Sequence, residues 1–451
     1  MLDLPGSPAD NPPGNQQARQ CNPVRAGLVR ARNTCARVQS STCMTIRWQS
    51  TLGFAVAALV WAAPVAAQKV TNLEELTLSQ TLIQLVGPLG SRPVGEAIGA
   101  ATALEIGTSP LPLATGNFQL KLDPATGLLV RVSPTFGPTF AERATTSGEG
   151  LITVGASFSY SAYEKLGDLD LERMQLGSVT AASPAVANTG LASLALSSKT
   201  ILMSGVIGVT DNLDVAVGVP IVSITLDGIT TLTNGNGVVT RRAAGGGTFT
   251  GLGDISALAK YRFMRFGDSD LNDTGGLAFL LNLRLPTGSK ENLRGLGTTR
   301  TLAALVASGT MGRLRPHVNG GYEFWSEGIQ IPTDFTTGAT VEARHQIHYA
   351  AGVEVEASPK LTLMLTFLGR HIQGGGQVGI LREIAPPNTS GITALESAVA
   401  LSEGIRKMML APGLKLNLKG KLLLSLHALT TLNNDGLRPK ITPVVALDLT
   451  M

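Results

Sequence analysis

The sequence predicts an all-β fold, a transmembrane antiparallel β-barrel of about twelve strands (fourteen as the alternative) behind a short helical N-terminal segment. Three observations carry that prediction. From about residue 151 onward, segments of ten to fourteen residues place an apolar side chain at every second position, the period of a strand with two unlike faces. Short and long connections alternate between those segments, as in barrels with short turns at one end and long loops at the other. Only 15% of the 451 residues are charged and 52 are glycine, against roughly 25% charged in an average soluble chain.

Residues 1–43 are rich in Pro, Asn, Gln and Arg without periodicity and are predicted to be a disordered or mis-assigned extension, with Met44 as the true start. Residues 44–67 read as a signal peptide. Arg47 supplies the basic region, Leu52 to Ala63 the apolar core, and Val65-Ala66-Ala67 the small residues for cleavage. All three cysteines (Cys21, Cys35 and Cys43) precede that cut, so the exported chain is expected to need no disulfide. Residues 1–67 hold six arginines and two acids, which leaves the 36 cations and 32 acids of the whole chain balanced at thirty each beyond that point. Net basicity is therefore no argument for a nucleic-acid partner. After position 70 no run of 18 apolar residues offers a spanning helix.

Residues 68–150 differ in character and are expected to form a plug or a periplasmic segment. "TNLEELTLSQTLIQLVG" and "VGEAIGAATALEIG" read as short helices, and "FQLKLDPATGLLVRV" as a hairpin turning at Pro124 to Gly127. The barrel is assigned to 151–451. Its strands are expected near 151–163, 196–209, 215–227, 251–264, 276–287, 299–311, 315–326, 342–356, 361–372, 404–418, 421–431 and 440–451. "ITALESAVALSEGIRKM", inside the loop expected at 373–403, reads as a further short helix. The last segment sets Val445, Leu447, Leu449 and Met451 on one face and Asp448 on the other, suited to closing against the first strand.

The face opposite the apolar stripe carries Lys260, Arg262, Asn282, Arg284, His317, Asn319, Glu323, His348, Glu354, Arg370, Lys415, Asn417 and Asp448. A lysine or arginine toward lipid costs about 2–4 kcal/mol at the midplane, so these residues are expected to line the lumen. Tyr163, Tyr261, Phe263, Tyr322, Phe324 and Trp325 fall near strand ends, where aromatic girdles sit. His345-x-x-His348 places its two rings on opposite faces of a strand and does not read as a metal pair. The sequence has no nucleophile elbow and no complete phosphate loop. "GLGD" at 251–254 looks like a phosphate cradle, but a strand follows it, so no helix N-terminus faces an anion.

Several stretches, in order, resemble the outer-membrane transporter family named after the meta-pathway of phenol degradation. They are "SPTFGPTFAERA" (133–144), "GVTDNLDVAVGVPIV" (208–222), "GLGDISALAKYRF" (251–263), "LRLPTGSKENLRGLGT" (283–298), "LAPGLKLNLKGKLLLS" and "LNNDGLRPKITPVVALDL" (410–449). The resemblance implies an outer-membrane barrel that passes hydrophobic or aromatic compounds inward, broadly similar to long-chain fatty-acid channels. It supplies no catalytic or binding positions. The expected function is passive uptake of small hydrophobic or aromatic compounds, by a non-enzyme without cofactors. Expected partners are outer-membrane lipid, the small substrate and the barrel-assembly machinery, with no nucleic acid. The alternatives are a barrel enzyme of lipase or protease type, or a non-conducting structural barrel.

Overall fold

The computed structural model describes residues 68–69, 76–86, 92–113, 120–122, 126–180, 183–234, 237–267, 273–332, 339–384 and 394–451. The extension and signal peptide expected at 1–67 lie outside these residues. Twelve strands close on themselves: β1 Ile152–Leu166, β2 Ser183–Thr210, β3 Leu213–Thr233, β4 in two pieces (Val239–Leu252 and Ser256–Phe266), β5 Gly275–Arg284, β6 Arg300–Ser308, β7 Leu314–Trp325, β8 Thr340–Ser358, β9 Leu361–Ile384, β10 Ala394–Lys419, β11 Leu422–Thr431 and β12 Thr442–Thr450. Neighbours pair antiparallel, and β12 returns to β1 from Val444↔Ser159 to Thr450↔Thr153. Closure leaves no edge whose N–H and C=O groups would face hydrocarbon unpaired. No helix among the described residues is long and apolar enough to cross a membrane.

Each of the twelve expected segments is a strand in the closed sheet. The fourteen-strand alternative fails, because Leu120–Leu122 and Leu129–Arg131 pair only with each other. The helix expected from "ITALESAVALSEGIRKM" is also corrected: from Ala394 onward the segment is the first part of β10, laddered to β9 from Ile384↔Ala394 to Ile372↔Ile405. Its Ala, Leu and Glu favour helix by less than about 1 kcal/mol per residue. A waiting strand edge that satisfies every backbone group outweighs such a preference.

Several strands far exceed the roughly 9–11 residues that cross an apolar layer. β2 has 28 residues, β9 has 24 and β10 has 26. Much of what reads as long loop at 164–195, 228–250 and 373–403 is therefore strand. Toward the long loops the sidedness inverts on β3. On β3 the outward residues Val215, Val217, Val219 and Ile221 are followed by Ser223, Thr225 and Asp227, while inward Val222, Ile224 and Leu226 are buried. On the outer face Thr225 and Thr248 share a hydrogen bond of 3.0 Å, and Thr250 donates to Ser223 at 2.8 Å. The half with short turns thus has an apolar exterior and an interior that mixes charged side chains with apolar clusters. The half with long loops has a polar exterior and an apolar interior, the pattern of a water-soluble sheet.

That division makes a direct prediction. Ala259→Arg, on the outer face of the apolar half, is expected to destabilise the barrel by about 2–4 kcal/mol, whereas Thr225→Arg is expected to cost about 1 kcal/mol or less. Urea titration of the barrel in lipid vesicles, read by heat-modifiable gel mobility, measures both. Equal costs would place the apolar belt elsewhere.

Helices α1 (Leu78–Val86) and α2 (Arg92–Thr108) fill the inverted half. Leu78, Leu82, Leu85, Ile98, Ala101 and Leu104 join inward side chains of the wall, including Leu196, Ile224, Leu226, Ile372 and Ile405, in one buried apolar cluster. Tyr163 and Trp325 belong to the same cluster and are 7% and 2% exposed, which corrects the girdle expectation for both. Their strand parity turns them inward, where the Tyr163 hydroxyl pairs with Ser198 and the Trp325 indole donates to Glu323. Tyr261, Phe263 and Phe324 do face outward and are half exposed.

Candidate functional site

The barrel interior holds two layers with a chamber between them. The layer toward the long loops is the helix pair. The other is a strap, residues 133–147, which crosses the half with short turns before the chain enters β1.

The strap is made of small and hydroxylated residues, so its backbone can lie close to the wall. Glu142 N donates to Asn319 Oδ1 at 2.7 Å and its carbonyl accepts from Asn319 Nδ2 at 2.8 Å, a pairing that imitates one rung of a sheet. Phe136 N donates to Thr362, Ala144 N to Ser308 Oγ, and Ser147 N to the Asp214 carboxylate at 3.1 Å. Thr139 and His427 share a contact of 2.7 Å. Lys260 Nζ lies 3.1 Å from Glu142 and 3.7 Å from Asp214. Arg143 stands 3.5 Å from Glu354, which is also 3.6 Å from His317. Lys415 donates to the Pro138 carbonyl. A buried charge without a partner is strongly unfavourable, so these cations bind the strap to the wall as much as the strap neutralises them.

The helix layer too is held by cations of the wall. The last carbonyls of a helix carry partial negative charge and lack intrahelical partners. At the end of α2, Gly107 O accepts from Arg284 of β5 at 2.9 Å, and Thr108 O accepts from Arg370 of β9 at 2.5 Å. Glu105, one turn earlier, pairs with Arg370 at 2.5 Å and with Lys407 at 3.2 Å. Two walls of the barrel thus clasp one helix end.

"GLGD" acquires a role that the sequence does not announce. β4 breaks at Gly253–Ile255, and Asp254 turns inward to accept from Gly288 N at 3.1 Å, Leu296 N at 3.3 Å and Arg300 at 3.1 Å. It fastens the 286–297 loop, which in turn reaches α1 through Asn292, whose Oδ1 accepts from Leu78 N. Gly251 leaves room for the Arg294 guanidinium, since a Cβ there would stand 1.4 Å from Nη1. Asp254→Ala removes the acceptor for two backbone donors and a buried guanidinium, at about 1–3 kcal/mol for each group left unpaired. The expected result is faster tryptic cleavage at Lys290 and Arg294 in the folded barrel, measured by mass spectrometry. Unchanged cleavage would contradict that role for Asp254.

Between helix end and strap lies a cavity of about 150 Å³, lined chiefly by Leu111, Leu113, Phe140, Leu258, Leu280 and Leu368. Thr108, Thr139, Glu142, Asn282, Arg284, Asn319, His348 and Arg370 supply its polar lining.

Of the thirteen residues expected to line the lumen, nine are buried and Arg284, Asn319, His348 and Asn417 are half-buried, and their partners differ. Arg262 forms a two-pronged pair with Asp273 at 2.6 and 2.7 Å beside a short turn, away from the chamber. Asn417 ties the Gly420 hairpin, and Asp448 occupies the space left by the missing side chain of Gly155. Glu323 joins Arg300 and His348, at 3.5 and 3.3 Å. His345 adopts a left-handed backbone (φ 61°) at a bulge and faces out toward Tyr322 and Phe324, opposite His348. Sequence reading missed Glu105, Glu142, Arg143, Asp214, Asp254 and Arg300. Most sit outside the alternating segments from which the interior set was drawn; lone charges within "TALEIG" and "PTFAERA" were the available signal.

No protein-family model matches this chain, and no curated protein matches it. Solved structures are similar to it at low identity. An outer-membrane channel from Pseudomonas putida F1 is 11% identical over 68% of this chain and 98% of its own, with a TM-score of 0.42. A Pseudomonas aeruginosa FadL homologue is 11% identical over 76% and 97%, and the Ralstonia pickettii toluene transporter TbuX is 13% identical over 76% and 98%; each has a TM-score of 0.29. At these values the likeness carries no weight for function, which rests on the barrel's own geometry.

Proposed function

We propose that this chain is an outer-membrane channel for the passive uptake of small hydrophobic or aromatic compounds, of the phenol meta-pathway kind that its motifs resemble. Residues 44–67 would direct its export, and residues 68–150 would act as a plug. The observation that carries the reading is the chamber: a largely apolar cavity in mid-lumen, between packed helices on one side and a hydrogen-bonded strap on the other. A pore for ions or sugars needs a continuous polar path, whereas a cavity whose wall is more apolar than polar, with six leucines and Phe140, favours apolar guests. The interior charges serve to hold the two layers in place. No nucleotide motif is present in the sequence, so flux runs downhill.

The test is uptake of an apolar fluorescent solute into vesicles with a lipopolysaccharide outer leaflet, with and without the purified barrel. Acceleration in proportion to barrel number supports the proposal. A rate equal to that of bare vesicles supports the second reading, a non-conducting structural barrel, which the filled interior favours.

A further inference from the structure

We propose that one side of the short-turn rim is a binding site for anionic phospholipid headgroups, of the phosphatidylglycerol kind, formed by Arg313, Lys360, Lys419 and Lys421. The turns that join β6 to β7, β8 to β9 and β10 to β11 (residues 309–313, 357–360 and 419–421) carry these four cations and no acid. All four are exposed, and among the described residues none of their side chains makes a hydrogen bond or an ion pair. Backbone bonds set the turns side by side. Glu356 N of β8 donates to Arg313 O at 3.2 Å, and Asn417 N of β10 donates to Lys360 O at 2.8 Å. Thr450 N of β12 donates to Lys421 O at 3.0 Å. The opposite side of the same rim has the reverse charge. Its turns, 211–212 and 267–274, hold Asp211, Asp268, Asp270 and Asp273 and no lysine or arginine.

The height of the cations on the barrel argues for lipid as their partner. Outward apolar side chains run close to each of them: Met311 is 71% exposed, and Leu314, Leu363 and Leu418 are 44% exposed. At about 3.3 Å per residue, a separation of one to three residues sets the charges about 3–10 Å beyond the apolar face, the depth of lipid phosphates. A bulge in β10 between Asn417 and Lys419 adds to this. Alternation from Lys415 and Asn417 would turn Lys419 inward, but the bulge pairs it with Leu422, which in turn pairs with the outward Leu449. Its ammonium is thereby aimed along the hydrocarbon face, which is favourable where the head reaches a phosphate. A rim that met only water would need neither charge of one sign on one side nor a lysine re-aimed toward lipid. Neighbouring turns are two strands, or roughly 10 Å, apart, and flexible stems let two cations meet one headgroup. Each lysine or arginine near an anionic surface strengthens association by about fivefold, so two on one headgroup give about twentyfold. The inference depends on the barrel's lying in a bilayer and not on what passes through it.

The experiment places the full-length barrel in phosphatidylcholine vesicles with a trace of phosphatidylglycerol or phosphatidylethanolamine probe, both carrying the same acyl-chain diazirine. After irradiation, mass spectrometry maps the labelled residues. At low salt the phosphatidylglycerol probe is expected to label 311–314, 361–363 and 418–422 about twentyfold more than the other probe. Around Val209 and Val217, on the opposite side, the two probes are expected to label equally. In 1 M salt, where the screening length is about 3 Å, the preference is expected to disappear. Replacing Arg313, Lys360, Lys419 and Lys421 together by Gln is expected to bring it to about one, with heat-modifiable mobility unchanged. The control, Arg173→Gln with Arg241→Gln and Arg242→Gln, removes exposed cations from the long-loop half and is expected to keep it. A preference that survives the fourfold change or 1 M salt, or one that is equal on both sides of the rim, would overturn the proposal. Equal labelling by both probes, with polyglutamate bound by the unaltered barrel and lost in the fourfold variant, would assign these turns to an acidic polypeptide and overturn the lipid site.

Discussion

Glu105→Leu is expected to turn a closed barrel into a leaking one. Glu105 is the shared partner of Arg370 and Lys407, both almost fully buried. Its removal leaves two cations facing each other in an apolar surround, and breaking such a cluster costs about 3–5 kcal/mol. Each 1.4 kcal/mol is a tenfold change in an equilibrium, so the undocked population of α2 is expected to rise by about a hundredfold or more. In planar bilayers this appears as frequent ion-conducting bursts. Buried triads can be replaced by apolar residues of similar volume with little loss, so Glu105→Leu combined with Arg370→Leu and Lys407→Met is expected to close the barrel again. A silent single variant, or a triple variant that leaks more, would show that the helix layer is held by its apolar cluster alone.

Ala304→Trp is expected to remove most of the uptake of apolar solute without opening the barrel to ions. Ala304 faces inward on β6 and lines the chamber. An indole there occupies the space a guest needs. Each 60 Å² or so of guest contact that is lost is worth about 1.5 kcal/mol, or tenfold in occupancy. Overpacking of a filled core costs about 1–3 kcal/mol, but this side chain enters a cavity, so heat-modifiable mobility and urea stability are expected to change little. Vesicle uptake at the unaltered rate would mean that solutes take a route around the chamber.

The fold was legible in the sequence because hydrocarbon imposes strict alternation. "GLAFLLNLRLPTG" could sit in a membrane only with Leu277, Phe279, Leu281 and Leu283 outward and Asn282 and Arg284 inward, and that is how β5 stands. The full lengths of β2, β9 and β10 were not legible, since toward the long loops the alternation no longer follows the membrane's sidedness, as the outward Ser223, Thr225 and Asp227 of β3 show. Ala394 onward was misread for the same reason: local helical propensity was the only signal left once the alternation weakened. Parity alone proposed an inward face, but it could not supply the partners of its residues. Lys260 and Arg284 could be turned inward by parity, but that one meets a strap carboxylate and the other a helix end depends on segments far away in sequence. "GLGD" marks the limit well. Its alternation after Ile255 fixed a strand, while the task of Asp254, fastening a loop some 40 residues later, appears only in three dimensions.

Under the proposed function this interior admits apolar molecules and excludes water-borne ions. Its most direct measurement follows both in one preparation: uptake of an apolar fluorescent solute and potassium leak, in the same lipopolysaccharide-faced vesicles, as the number of barrels per vesicle is raised. Solute uptake is expected to rise in proportion to barrel number while potassium leak stays at the level of bare vesicles. Potassium leak that rises with barrel number while solute uptake stays flat would contradict it.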